Sequence, residues 1–274
     1  MRDLRILNLG AGVQSTTVYL LALDGHIPPF DYAIFADTQE EPVAVYRHLD
    51  WLKGIGGPPI VTGTAGKLGD DLLQASKRWV SIPAYTAGVA GQRGGLLQRQ
   101  CSKEYKVAVI ERVIRRQLLG LRPRQRWPKD RIVVQSFGIS SDEAGRAVRI
   151  SRTFGERRRG QADFPLLALN WTRAHCAAYL RDRVPHEVPR SACVFCPYHT
   201  DTEWLRLKRQ DPDGWARAIA VDEGLRIARN TTWRHVKRAI YLHSSCRPLA
   251  KVDLNEQQRE FPTFALECEG VCGV

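Results

Sequence analysis

Long apolar runs are missing from this chain of 274 residues, which excludes a helical membrane span. The first apolar segment, after Met1-Arg2-Asp3-Leu4-Arg5, meets Gly10 too soon to form the core of a signal peptide. A chain that starts here and stays in the cytoplasm is the expectation. Internal repeats and low-complexity linkers are absent as well. Acidic residues are the scarcer charge: 29 Asp and Glu stand against 41 Lys and Arg, a net charge of +12 with a pI near 9.6. A nucleotide pocket uses a few cations, not twelve, so the excess points to a polyanion partner such as tRNA or DNA; the plainer reading is a solubilising surface. An even set of cysteines is also lacking. Seven in a chain expected in the cytoplasm argue against a disulfide framework.

The first third of the chain alternates strand and helix signals. Ile6–Leu9 and Tyr32–Ala36 read as short buried strands, Pro59–Val61 as a third, with helices over 16–23 and 42–53 between them. Such alternation implies a parallel sheet covered by helices on both faces. Residues 78–100 carry Gly88, Gly91, Gly94 and Gly95 with Arg93 and Arg99, a basic loop able to act as a lid or a plain surface excursion. Lys103–Leu119 is an amphipathic helix, with Val107, Ile110, Val113 and Ile114 on its apolar side and Lys106, Arg112, Arg115 and Arg116 facing elsewhere. Arg131–Phe137 is the best later strand. Arg152–Arg159 reads as a basic loop, and Thr172 caps a helix running to Arg183. Near residue 184 the alternation gives way to a Cys-rich appendage. The expected organisation is therefore an α/β domain over 1–183 and a small C-terminal region over 184–274 packed on it.

Gly10-Ala11-Gly12-Val13-Gln14-Ser15-Thr16 joins the first strand to the first helix. There the glycines permit a tight turn, backbone amides converge, and the helix dipole favours an anion; Ser15 and Thr16 can add hydroxyl donors. The Gly-Lys-Ser/Thr ending of a P-loop and the third glycine of a dinucleotide fingerprint are both missing. Further along come Asp37-Thr38, then Arg99-Gln100-Cys101-Ser102-Lys103, then Gly138-Ile139-Ser140-Ser141-Asp142-Glu143-Ala144-Gly145-Arg146. Asn170-Trp171-Thr172 and Cys193-Val194-Phe195-Cys196-Pro197 follow. In this order the segments resemble the PP-loop adenine nucleotide α-hydrolase superfamily, nearest its branch of phosphoadenylylsulfate (PAPS) reductases and nucleic-acid thiolation enzymes. The resemblance implies a Rossmann-like sheet and attack at the α-phosphate of ATP or, alternatively, chemistry on adenylyl-sulfate. It would give phosphate contacts to Gly10, Ala11, Gly12, Gln14, Ser15 and Thr16, and put Asp37, Thr38 and Gly138 near the nucleotide. Lys103 and Arg146 would be cationic catalytic contacts, and Asp142 and Glu143 would organise Arg146 or Mg²⁺. The superfamily loop usually carries an acidic residue where this chain has Gln14, which leaves no loop carboxylate for Mg²⁺.

Cys193 and Cys196 have the spacing of a pair of metal ligands, suiting Zn²⁺ or an Fe–S cluster. The stretch around Cys101 resembles the cysteine-bearing segment of iron–sulfur adenylyl-sulfate reductases, although those carry two adjacent cysteines there. The expected ligand set is Cys101, Cys193, Cys196 and Cys268 around a [4Fe–4S] cluster, with Zn²⁺ as the alternative and His199 or His243 as possible substitutes. The resemblance implies that one of Cys268 and Cys272 ligates while the other is the reactive thiol on the tail; either order is open, with Cys272 the expected nucleophile. Cys176 lies on an apolar helical pattern and reads as core; Cys246 has no assigned role. Three functions follow as expectations. The first is ATP-dependent adenylation of tRNA or DNA for sulfur insertion, served by a sulfur donor such as a cysteine desulfurase. The others are a sulfonucleotide reductase and a zinc-stabilised nucleic-acid-binding module. Arg93, Arg99, Arg157, Arg158 and Arg159 are the candidate nucleic-acid contacts.

Overall fold

The computed structural model describes residues 3–74, 80–88, 93–128, 130–155, 160–228 and 236–254. Five parallel strands form the main sheet: β1 (Leu4–Leu9), β2 (Tyr32–Asp37), β3 (Ile60–Thr64), β6 (Val133–Phe137) and β7 (Gly160–Asp163), in the order β3-β2-β1-β6-β7. A second, antiparallel sheet joins β4 (Tyr85–Ala87), β5 (Arg93–Leu96) and the short β8 (Ile240–Tyr241). Residues 85–87 and 93–96 of the segment expected as a basic loop thus pair as antiparallel strands.

The side chains of β1 and β2 alternate between two apolar layers. Leu7, Leu9, Ala33 and Phe35 face a cluster built with α1 (Val13–Leu23), α2 (Val43–Gly54) and α7 (Arg173–Leu180). Leu4, Ile6, Ile34 and Ala36 face Val109, Ile110, Val113 and Ile114 of α4 (Ala108–Val113) and its continuation. Burial on both faces is why these strands read as nearly unbroken apolar runs. The fold is an α/β, Rossmann-like parallel sheet with helices on both sides. No helix among the described residues is long and apolar enough to cross a membrane.

The helix expected over 103–119 is one continuous rod with wider turns at both ends: π-helical Ser102–Val107, then α4, then π-helical Ile114–Leu118. The π turn changes which residues face inward. Lys106, expected on the polar side, is buried, and Lys103 is exposed. Several elements escape the sequence reading, α5 (Ala144–Gly155) and β7 among them. α5 takes in Arg152 and buries Ala147, Ile150 and Phe154 against Phe137, and β7 pairs with β6 at the sheet edge.

A separate apolar cluster joins Leu68 and Leu72 of α3 (Leu68–Leu73) and Tyr105 to Val194, Phe195, Trp204 of α8 (Asp201–Gln210) and Val221 and Leu225 of α9 (Pro212–Ala228). A charged contact helps tie it to the main sheet. Glu40, just past β2 and buried, accepts from Arg217 of α9 through both carboxylate oxygens, at 2.6–3.2 Å. Asp70 takes the same guanidinium at 2.5 Å, and these bonds raise the Arg217 pKa above its ordinary value. Cys176, as expected, is core, wholly buried between α7 and the sheet.

Arg217→Met leaves the Glu40 carboxylate buried without its cation. Loss of one partner of a buried pair costs ~3–5 kcal/mol, discounted here to about 2–3 because Arg217 is partly exposed. Urea denaturation should register that loss, with Arg217→Lys recovering only part of it. Wild-type stability in Arg217→Met would mean that the apolar cluster alone holds α9 in place.

Candidate functional site

The strand order reverses between β1 and β6: the chain goes from β1 outward to β2 and β3, then returns to the other side of β1. Loops leaving neighbouring strands in opposite directions open a crevice at the carboxyl ends, where open α/β sheets take ligands. The loops at this point are Gly10–Gly12 after β1 and Gly138–Glu143 after β6.

Gly10, Ala11 and Gly12 are all buried. Ala11 has φ +58°, a left-handed conformation unusual for a residue with a side chain. The Ser15 Oγ accepts from the Gly10 and Gly12 amides at 3.2 and 3.3 Å, so the hydroxyl expected to meet phosphate is turned into its own loop. Gly138 is required by close approach, because a Cβ there would fall 2.7 Å from the Ser15 nitrogen.

Gln14 is the hub between the two loops. Its Nε2 donates to Glu143 Oε2 at 2.9 Å and lies 3.4 Å from Ser140 Oγ, while its Oε1 accepts from Arg173 Nη1 at 2.7 Å. The other Glu143 oxygen is taken by Arg146 in a buried ion pair. Asp142 sits apart from this network and accepts from the Arg173 backbone amide, at the first turn of α7. Thr172 caps the same helix through the His175 amide, as its sequence position predicts. The acids named for Mg²⁺ therefore both hold protein donors. A neutral amide at position 14 can donate to one carboxylate and accept from one guanidinium at once; a carboxylate cannot donate.

Thr16 leads to a feature with no local sequence signal. Its Oγ1 is 2.8 Å from His48 Nε2, and His48 Nδ1 is 2.8 Å from His186 Nε2. The Trp51 ring stacks on His48, and its edge meets His186. Burial, with His186 adding to it, lowers the His48 pKa to about 4. The residues that touch here are 138 apart in the chain.

The segment after β2 points toward the cysteines. Asp37 Oδ1 accepts from the Gln39 amide at 2.7 Å and from Tyr46 OH at 2.9 Å, which with burial raises the Tyr46 pKa. Thr38 Oγ1 lies 3.2 Å from Cys193 Sγ. Glu41 pairs with the buried Lys106 at 3.4 Å. Cys101, Cys193 and Cys196 line one cavity of about 30 Å³ together with Thr38 and Lys106. Burial pushes the Cys193 thiol well above its ordinary pKa and Glu41 adds to this, against the opposing pull of Lys106 and the Thr38 hydroxyl. The thiolate, not the thiol, is the metal ligand, so a metal here would have to displace that proton. Three of the four expected cysteines share the cavity. Among the described residues, however, no three His, Cys, Asp or Glu are gathered closely enough to hold a metal ion. Cys268 and Cys272 lie outside the described residues.

Of the two proposed substitute ligands, His243 is engaged at both ring nitrogens and His199 at one. His199 Nε2 is 2.9 Å from the Cys193 carbonyl, so it braces the Cys193–Cys196 turn. Burial alone would raise the Glu203 pKa, but His199 and Arg190 hold it well below the usual range. His243 is buried between Asp201 and Ser245, each at 2.8 Å. Cys246 has φ +53° and contacts the Thr86 carbonyl at 3.5 Å. Arg99 stacks over Tyr198. Arg157, Arg158, Arg159 and the Arg93 side chain lie outside the described residues.

The buried amide and the buried imidazole each give a pH test. Gln14→Glu sets two carboxylates against each other, raising a folded-state pKa above the unfolded value near 4.3. Its stability should match wild type at low pH and fall behind by about 1–3 kcal/mol as pH rises toward neutrality. A constant deficit at every pH would rule out charge repulsion. For His48 the folded pKa is the depressed one, so the unfolded chain takes up the proton first. Wild-type stability should drop by about 3 kcal/mol between pH 6.5 and 4, and His48→Gln should flatten that slope. Equal slopes in thermal melts of the two proteins would assign the acid sensitivity elsewhere.

Compared with protein-family models, with curated proteins and with solved structures, the chain matches none, so the functional reading rests on its own residues and their arrangement.

Proposed function

We propose that this protein is a PP-loop ATP pyrophosphatase that adenylates a nucleic-acid acceptor, tRNA or DNA, for replacement of an oxygen by sulfur. One observation carries the reading. The glycine loop after β1, the Gly138–Glu143 loop and the cavity of Cys101, Cys193 and Cys196 stand on the same carboxyl edge of one parallel sheet, with Thr38 linking that edge to Cys193. Phosphate chemistry and thiol chemistry are neighbours there.

In this reading the amides of Gly10 and Gly12 bind phosphate after Ser15 Oγ yields its place and turns to donate to the same anion. The amino-terminal end of α1 supplies the favourable dipole. An acceptor oxygen attacks the α-phosphorus and the bond to the β-phosphate oxygen breaks, so pyrophosphate leaves. Hydrosulfide then attacks the adenylated carbon, and AMP departs with the original oxygen. Where a cysteine desulfurase supplies the sulfur as a persulfide, its terminal sulfur makes the attack. A reducing thiol then cleaves the resulting disulfide, freeing the thiolated acceptor and becoming a disulfide itself. Arg146 and Arg173, held by Glu143 and Gln14, keep positive potential near the phosphates while staying fixed in orientation. Lys106, not Lys103, is the lysine at the cysteine cavity. A [4Fe–4S] cluster or zinc on Cys101, Cys193, Cys196 and Cys268 would supply a soft Lewis-acidic centre for sulfur.

Purified protein given ATP, sulfide and tRNA or DNA should release pyrophosphate in an acceptor-dependent way. Ser15→Leu should abolish ATP binding, each lost charge-assisted bond costing about 1.5–3 kcal/mol, with circular dichroism unchanged. Cys193→Ser and Cys196→Ser should lose bound iron or zinc on metal analysis. Sulfite from adenylyl-sulfate without pyrophosphate would replace this reading with a reductase using Cys272. Nucleic-acid binding with neither product would leave a zinc-stabilised binding module.

A further inference from the structure

A cleft of about 740 Å³ opens beside the first residue of α1, between α7, the 184–190 segment and the start of α8. Val13, Leu180 and Val188 contribute apolar lining. Four arginines, Arg173, Arg181, Arg190 and Arg206, face two glutamates, Glu187 and Glu203, a balance of two positive charges. Both carboxylates are already matched, Glu187 by Arg206 at 2.7 Å and Glu203 by Arg190. Arg181 is exposed and has no carboxylate partner among the described residues. Arg173 reaches the neutral Gln14 amide.

Two contacts join this cleft to the glycine loop. One is Arg173 to Gln14. The other runs from His186, on the cleft wall, through His48 to Thr16. Val13, next to Gly12, lines the cleft itself, so a ligand there adjoins the phosphate loop as well as bearing on the residues that shape it.

We infer that this cleft binds the acceptor as a single-stranded nucleic-acid segment, its phosphates on the Arg181 and Arg206 rim and an unstacked base against the apolar lining. This rests on the acceptor reading above. Cationic groups at the rim and apolar side chains within match a nucleotide and its flanking phosphates. The volume is that of a small-ligand site and cannot admit a duplex, and chemistry on a base requires the base out of its stack.

The test is fluorescence anisotropy with fluorescein-labelled 12-mers of thymidylate and uridylate, and with a duplex of equal length, across a salt series. Wild type should bind the single strands more tightly than the duplex. Arg181→Glu/Arg206→Glu should weaken single-strand binding by roughly tenfold or more and reduce the log–log salt slope by about 1.4, at ~0.7 per phosphate contact. Arg181→Gln, which leaves the Arg206–Glu187 pair intact, should give about half of that slope change. Arg122→Glu/Arg124→Glu, on an exposed loop away from the cleft, should change neither quantity. Wild-type binding by the cleft variants, equal damage from the Arg122/Arg124 control, or a preference for duplex would each overturn the inference. So would parallel loss of ATP affinity in Arg181→Glu/Arg206→Glu, which would make the cleft the nucleotide's own site. Single-strand binding through the cleft in a protein that binds no adenine nucleotide would instead leave this inference standing and sink the adenylation reading.

Discussion

The bidentate grip of Glu40 on Arg217 is the constraint on which the arrangement of the site depends. Glu40 belongs to a five-residue stretch, 37–41, that leaves β2 at the sheet's carboxyl edge. Within that stretch Asp37 fixes the turn, Thr38 meets Cys193, Glu40 holds α9, and Glu41 holds Lys106. The Glu40 carbonyl also accepts from the Val194 amide at 2.7 Å, next to the first cysteine of the pair. Charge-assisted, bidentate bonds are strong and directional, whereas apolar packing tolerates sliding. The pair therefore sets where the second cluster sits as well as how firmly.

A second constraint is the neutrality of position 14. Two cations and one carboxylate, Arg146, Arg173 and Glu143, are arranged around the Gln14 amide at the point where strand order reverses. A buried polar group is tolerable only when each of its capacities is met. The amide meets a carboxylate on one side and a guanidinium on the other, which a carboxylate at this position does only by taking a proton. The negative charge at this point comes instead from Glu143 on the neighbouring loop.

The core sheet is legible because burial on both faces leaves short, mostly apolar segments at β1, β2 and β6, and because Thr172 announces α7 by its cap. β7 was not legible: Gly160-Gln161-Ala162-Asp163 is an edge strand whose hold is backbone pairing plus the Asp163 contacts to Arg5 and Ser136. α5 was overlooked behind its arginines, although Ala147, Ile150 and Phe154 form a helical stripe. A period of 3.6 residues puts Lys106 on the polar side because it does not describe a π turn. The Gly10–Thr16 loop and the Cys193–Cys196 pair could be picked out as local patterns. The His48–His186 contact and the Glu40–Arg217 pair could not, since only the tertiary fold brings such distant residues together.

The central strand carries a consequence for the time course of synthesis. β1 is flanked by β2, which follows it closely, and by β6, whose Val133 lies opposite Leu4. About 125 residues separate the end of β1 from the start of β6, a delay of roughly 6–25 s at ~5–20 residues per second of translation. During that interval the central strand of the sheet has one backbone edge unpaired. Exposed strand edges recruit other strands, and nonlocal parallel pairing is slow to repair such errors. The nascent chain thus passes through a state in which the strand bearing the glycine loop is the part most in need of shelter.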